Sequence, residues 1–325
     1  MKALNRGGKN MDNTTYYEIC QQSTSLCRIG AGFCGTVWAD PEVGVMAIKR
    51  EDGGQGRSLK NDSDIHQRLL AAQKDHHNQL RFEIPLWHDY IQADDAADII
   101  TRFPSGYSPS NILLTERIPP MPAVVRRLLI DEYCPPAAAP SIAVDPKNHD
   151  CLIRPYLGRR RRGFSKSAFR IFSLRNYPLH LDQIEYFSLD PYTYAQRMAE
   201  ALAFMHWCAQ IDANDVEFVL APPSPRAQTQ TTLFSAVLGK HNLWILDFDC
   251  CRPMTMDKSG MEQAARAFWK NDPFYPRPGK EQESDVNLWE HFKRAFLAAS
   301  TEFIQLDDQK HLPGLLIQLI EAKSP

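Results

Sequence analysis

Three glycines, Gly30, Gly32 and Gly35, stand in the stretch IGAGFCGT, with Val37 just after it and Lys49 in the later stretch MAIKR. Glycine carries no Cβ, so backbone amides in such a turn can close over phosphate oxygens, and a lysine on a following strand adds charge to the same oxygens. A plain tight turn would use the same glycines. A second group is acidic: DANDVE places Asp212, Asp215 and Glu217 within six residues, and Asp247 and Asp249 follow in DFD. Carboxylates gathered in one place repel each other, which raises some of their pKa values unless a cation joins them. They can hold Mg²⁺, clamp a guanidinium through paired hydrogen bonds, or take a proton from an amine; a solvated acidic loop has the same composition. A third group is basic. Arg159, Arg160, Arg161 and Arg162 are consecutive, and Arg154, Lys166, Arg170 and Arg175 extend the cationic stretch over 151–181, which contains no Asp or Glu. Phosphate neutralisation by such a patch gives nucleic-acid affinity, and Phe164, Phe169 and Phe172 can stack or pack between the charges. A solvated basic loop is the alternative.

Positioning these groups requires two kinds of lobe. Residues 1–14 read as a flexible lead and 15–118 as a β-rich lobe. Strands are predicted on both sides of the glycine turn and over 43–50, which carries Lys49. A helix over 59–74 follows, with Leu59, Ile65, Leu69 and Ala72 at helical spacing, then strands over 82–87 and 111–118. The proline-rich ERIPPMP is a stiff connector to the helical remainder, 119–325. There the spacing predicts helices over 123–133, 191–209, 261–271, 286–303 and 313–322, and a short buried strand over 243–248. The helix over 191–209 has Asp190 as cap, Pro191 at its first position and an apolar stripe from Tyr194 to Ala209. It delivers the chain to DANDVE, with His206 and Trp207 at its end; His206 can shuttle protons or simply pack.

Composition sets limits on what these groups do. With 43% hydrophobic and 23% charged residues, a net charge of −2 and no apolar run near the roughly 18 residues of a membrane span, a cytoplasmic globular protein is expected. Eight cysteines without a C-x-x-C pair argue against both a disulfide scaffold and a structural zinc site. No G-x-S-x-G occurs, so a serine acyl-enzyme has no motif.

The glycine turn with Val37 and Ala47-Ile48-Lys49 resembles protein kinases, which implies an α+β, bilobal kinase-like fold with a small β-rich N-lobe and a larger, mainly helical C-lobe. In that pattern Asp62, in DSDI, is the nearest match to the helix acid that pairs with the lysine. Asp247 matches the metal-binding acid, and Lys49 can persist as an ion-pair partner of Asp62 or Asp247. The loop after the long helix departs from the pattern: no histidine-arginine precedes an aspartate, and Phe218 is read at the position of the metal-binding asparagine. Phosphoryl transfer would then lack its base and a metal ligand.

NILLTERIPPMP, MAEALAFMHW, DANDVEFVLAP, LWILDFDCCRPM and KNDPFYPRP resemble a fungal family of unknown-function domains often labelled "zinc finger protein", over about Cys27 to Phe303. That group in turn resembles the arginine-containing cyclodipeptide synthases. The resemblance implies an aminoacyl-tRNA-dependent acyltransferase of secondary metabolism, joining arginine to a second amino acid in a cyclic dipeptide, with no cofactor, no metal and no DNA or membrane partner. Asp215 and Glu217 would move protons or bind the amine. Asp212 and Asp247 would hold the arginine guanidinium or give structural support, Lys49, Asp62, Asp249 and His206 would contact substrate, and Arg159–Arg162 with Lys166 would hold arginyl-tRNA and its partner. The alternatives are a pseudokinase-like module binding nucleotide or protein, and a small-molecule phosphotransferase. These would use ATP and Mg²⁺, with Gly30, Gly32, Gly35 and Lys49 as ligands.

Overall fold

The computed structural model describes residues 25–323 apart from 33, 42–43, 53–57, 77–79, 162–171, 228–230 and 272. The glycine turn joins β1 (Cys27–Ala31) to β2 (Gly35–Ala39), closed by a hydrogen bond from Gly32 N to Gly35 O at 2.8 Å. These strands continue through β3 (Met46–Glu51), β5 (Ile112–Glu116) and β4 (Trp87–Ile91) into one five-stranded antiparallel sheet, in the order β1-β2-β3-β5-β4. Gly35 is a packing requirement, because a Cβ there would stand 1.8 Å from the Arg50 carbonyl oxygen. A Cβ on Gly32 would meet nothing within 4 Å.

Side chains alternate across a strand, so β3 sends Ala47 and Lys49 to one face and Met46 and Ile48 to the other. The back face forms its own small core of Trp38, Ile48, Ile91, Ile99, Phe103, Ile112 and Leu114, with the short helix α2 (Ala97–Ile100) folded over it. On the front face lies α1 (Leu59–His76), where Leu59 packs with Cys34 and Leu113. The strand expected over 82–87 is instead an extended tie between lobes. Glu83 exchanges backbone bonds with Leu243 and Ile245 at 2.8 and 3.0 Å, and β4 starts only at Trp87. Pro85 lacks the N–H that a ladder would need there.

Beyond the proline connector come α3 (Ala123–Tyr133), α4 (Ala139–Val144), β6 (Ile153–Tyr156), β7 (Tyr177–His180) and α5 (Leu181–Tyr186). The long helix α6 (Pro191–Trp207) follows, with the Asp190 side chain accepting from Tyr192 N at 2.9 Å. It is buried nearly all round, against α8 (Glu283–Phe303) with α7 (Lys258–Lys270) and α9 (Leu312–Glu321) nearby. The Trp207 indole donates to Ser300 Oγ at 2.7 Å, which fixes the α6–α8 register.

A second sheet runs β7-β6-β8-β10-β9, built from β8 (Glu217–Ala221), β9 (Leu233–Ser235) and β10 (Gly239–Leu246) with the parallel pair β6 and β7 beside them. The sequence reading placed no strands in 151–181, because IRPY and YPLH each carry a proline and neither alternates. The architecture is α+β and bilobal, kinase-like in its small antiparallel lobe, its front-face helix and its helical second lobe. No helix among the described residues is long and apolar enough to cross a membrane.

Candidate functional site

The front face of the first sheet meets the start of β8 and the end of β10 in a cleft enclosing about 170 Å³. Lys49 projects into it from β3, its Nζ 2.6 Å from Asp62 Oδ2 on α1 and 2.6 Å from Asp247 Oδ1. The other Asp62 oxygen accepts from Phe248 N at 3.0 Å, so one buried carboxylate ties the lysine, the helix and the segment after β10 together. Burial by itself would lower the Lys49 pKa; the charges of Asp247 and Asp62 outweigh it and hold the ammonium well above the usual lysine value.

Glu217 enters the cleft from the first position of β8 and forms an ion pair with Arg154 of β6. Strand pairing brings the two together, since Ile153 is registered with Leu220. Burial raises the Glu217 pKa to about 7; Arg154 opposes this and the neighbouring Asp247 charge adds to it. The same half-closed space thus contains two cation–carboxylate pairings, Lys49 with Asp62 and Asp247, and Arg154 with Glu217.

Of the non-glycine residues in the left-handed region, which such residues seldom occupy, Asn176 and Asp247 (φ 48° and 66°) line the cleft, while Gln210, Ala213 and Asp215 (51°, 53° and 62°) lie outside it on the loop before β8. Such outliers cluster where a surrounding network over-determines the backbone, as at ligand clamps and active sites.

The structure revises several expected site residues. Glu217, not Phe218, is the residue at the start of β8 that faces the cleft. Glu217 lies five residues after Asp212, the D-x-x-x-x-N spacing of a kinase catalytic loop. Phe218 points the opposite way on β8, fully buried with ring centroids 5.5 Å from Phe274 and 5.3 Å from Tyr275. The four carboxylates do not converge. Asp212 is buried outside the cleft lining, where it accepts from Arg252 N at 2.9 Å, Asn214 N at 3.2 Å and Gln263 Nε2 at 2.9 Å. Asp215 also lies outside the lining, and Asp249 is buried beyond it. His206 is packed: its Nδ1 is 2.9 Å from Ile211 O, Trp207 and Phe296 flank it, and burial lowers its pKa to about 4.

Two of the described arginines of the basic run are engaged by acids. Arg160 makes ion pairs with Glu185 and Asp285 at 2.6 Å each, and Arg161 bonds Asp182 at 2.7 Å while covering the Tyr133 ring at 5.0 Å. Arg159 is exposed, and Arg162 and Lys166 lie outside the described residues. The acids that neutralise Arg160 and Arg161 fall after residue 181, which is why a charge count over 151–181 could not find them.

Sequence reasoning treated Arg154 only as one charge among eight and assigned it no part in the site. No local signal marks it, because its place depends on β6 joining β8. For Glu217 a signal was present, in its spacing from Asp212.

A family model described as "DUF3669: Zinc finger protein" matches residues 243–308. That stretch holds Cys250, Cys251 and His291, and the described residues contain no group of three or more His, Cys, Asp or Glu able to hold a metal ion. The residues present therefore do not fit a zinc centre. No curated protein shows a match.

Among solved structures, an aminoglycoside phosphotransferase from Alicyclobacillus acidocaldarius is 9% identical with a TM-score of 0.30, the match covering 94% of this chain and 82% of that one. An apo pseudokinase is 9% identical at a TM-score of 0.28, covering 96% and 97%. A macrolide 2'-phosphotransferase from Brachybacterium faecium is 11% identical at 0.26, covering 91% and 83%. The expected tRNA-dependent cyclodipeptide synthase, and with it the aminoacyltransferase activity, is corrected by the geometry of the site. Asp212 and Asp215 stand outside the cleft that Glu217 and Asp247 line, so the expected crevice of four carboxylates is not formed, and Arg160 and Arg161 are paired with acids.

Proposed function

We propose that the chain is a kinase-like nucleotide-binding module in which the phosphate-holding apparatus is kept and the phosphoryl-transfer apparatus is not. The observation that carries this reading is Lys49, held between Asp62 and Asp247 beneath the glycine turn. In protein kinases the strand lysine cradles phosphates only when a helix acid orients it. An ammonium has three N–H donors; the two aspartates take two, and the third is available to a phosphate oxygen. At about 170 Å³ the cleft is smaller than the roughly 300–1,000 Å³ of ligand pockets, so binding requires the lobes to part about the connector between β5 and α3.

Transfer needs a base and charge neutralisation at the phosphates. Asp212, at the base position, is held by two backbone amides and Gln263 on the far side of its loop. Asp247 and Glu217 are hard oxygen donors of the kind Mg²⁺ accepts, but Lys49 and Arg154 already neutralise them. As arranged they do not fit a metal ion, and binding independent of divalent cations is expected.

A small-molecule phosphotransferase is the second reading, favoured by the Asp212–Glu217 spacing and the strained backbone of Asp247. Melting curves with ATP or ADP, with and without magnesium, separate the two when combined with an assay for ADP release. The binding module is stabilised by nucleotide whether or not magnesium is present, and releases no ADP. Magnesium-dependent ADP release stimulated by a hydroxyl-bearing acceptor supports the phosphotransferase instead.

A further inference from the structure

The larger cavity of the molecule is not the cleft. Behind the hinge, on the opposite face of the first sheet, a space of about 630 Å³ opens between the back of β3 and the segment after β8. That volume lies inside the roughly 300–1,000 Å³ range of small-molecule sites, which the cleft does not reach. One wall is apolar, made by Leu26, Met46, Ile48 and Leu86. Met46 and Ile48 are there because β3 alternates, sending Ala47 and Lys49 to the cleft and their neighbours backward.

The polar wall is asymmetric. Its carboxylates are withdrawn and already engaged by donors. Glu116 receives Ser224 Oγ at 2.7 Å and Leu86 N at 3.0 Å as well as the Arg226 guanidinium, and its side chain is only 12% exposed. Asp40 is 8% exposed and bonded to Arg102 at 2.6 Å. Arg226, by contrast, is 49% exposed. A guanidinium has five N–H donors, and Arg226 gives one of those on Nη2 to Glu116. A ligand entering this space therefore meets hydrocarbon on one side and the half-exposed Arg226 guanidinium on the other.

We propose that the cavity behind the hinge binds a small amphipathic anion, with its apolar body against Leu26, Met46, Ile48 and Leu86 and its carboxylate or phosphate head on Arg226. The site is independent of the nucleotide reading, because none of the residues that hold the ligand faces the cleft.

The test uses the whole chain and the fluorescent probe anilinonaphthalene sulfonate, an aromatic body with an anionic head. Saturable binding to one site is expected. Arg226→Ala should weaken it about tenfold, the loss of one charge-assisted hydrogen-bonded contact, while Arg226→Lys retains most of it. Met46→Tyr, which fills the apolar wall, should abolish it; a cooperative urea transition for each variant establishes that the fold is intact. Competition then identifies the head: octanoate and octyl phosphate displace the probe, the better of the two naming carboxylate or phosphate, and octylamine does not. The proposal is overturned by absence of saturable binding, by equal affinity in the wild type and Arg226→Ala, or by displacement with octylamine as effective as with octanoate.

Discussion

Replacing Arg154 by methionine keeps a side chain of similar length and removes the charge that faces Glu217. The consequence depends on pH. Glu217 stands at about 7 against an ordinary glutamate value of 4.5, even with Arg154 in place. That rise corresponds to about 3 kcal/mol by which burial disfavours the ionised carboxylate, net of its attraction to Arg154 and Lys49. A folded-state pKa above the unfolded one means that the native state binds the extra proton. The associated stability is complete below about 4.5 and is lost as pH rises through about 7. Without Arg154 the pKa moves higher still, so folded Glu217 stays protonated through neutrality and the lost ion pair is felt fully only where the wild-type carboxylate is ionised. Urea denaturation of Arg154→Met should therefore show a loss of about 1 kcal/mol near pH 5.5, the value of one hydrogen bond, and about 3 kcal/mol near pH 8.5, where the wild type has its ion pair and the variant must either hold a proton against the solution or ionise without a partner. Adding Glu217→Gln should recover most of the alkaline loss. A deficit of the same size at both pH values, or one confined to acid, would refute the ion-pair account of Glu217.

Three further outcomes follow from the same geometry. Asp212→Asn should lower stability by about 1–3 kcal/mol in urea titrations, because it disturbs a buried acceptor of two backbone amides and Gln263, yet leave nucleotide affinity within about twofold. His206 should remain neutral in the folded protein down to about pH 4, and its stabilising share should be present above 6.5 and decline as pH falls from there; imidazole chemical shifts followed by nuclear magnetic resonance would register this. Arg160→Ala should cost about 1–2 kcal/mol in thermal melts, since it breaks the link that joins Glu185 to Asp285 on α8.

Local signals made part of this molecule legible. The glycine turn, the strand lysine and the capped apolar stripe of α6 are patterns over a few residues, and each element formed close to where its spacing placed it. What escaped was set by distant pairing. β6 and β7 carry prolines and no alternation, and they exist as strands because β8 offers an edge. Their formation brings Arg154 to Glu217, a partnership separated by more than sixty residues. The arginine run looked like an exposed cationic patch because its acids lie on α5 and α8. DANDVE looked like one acidic cluster because sequence neighbours need not share a face. Asp212 turns into the loop while Glu217, on a strand, turns into the cleft.

The central claim is that Lys49 and its two aspartates hold a nucleotide without transferring its phosphate. Calorimetric titration of wild type and Lys49→Met with ATP, alongside measurement of ADP in the same samples, tests it most directly. Saturable binding to wild type, at least about tenfold weaker in Lys49→Met, with no ADP formed beyond the buffer rate, is the predicted result. Binding that is indifferent to Lys49, or ADP production that Lys49→Met abolishes, would contradict it.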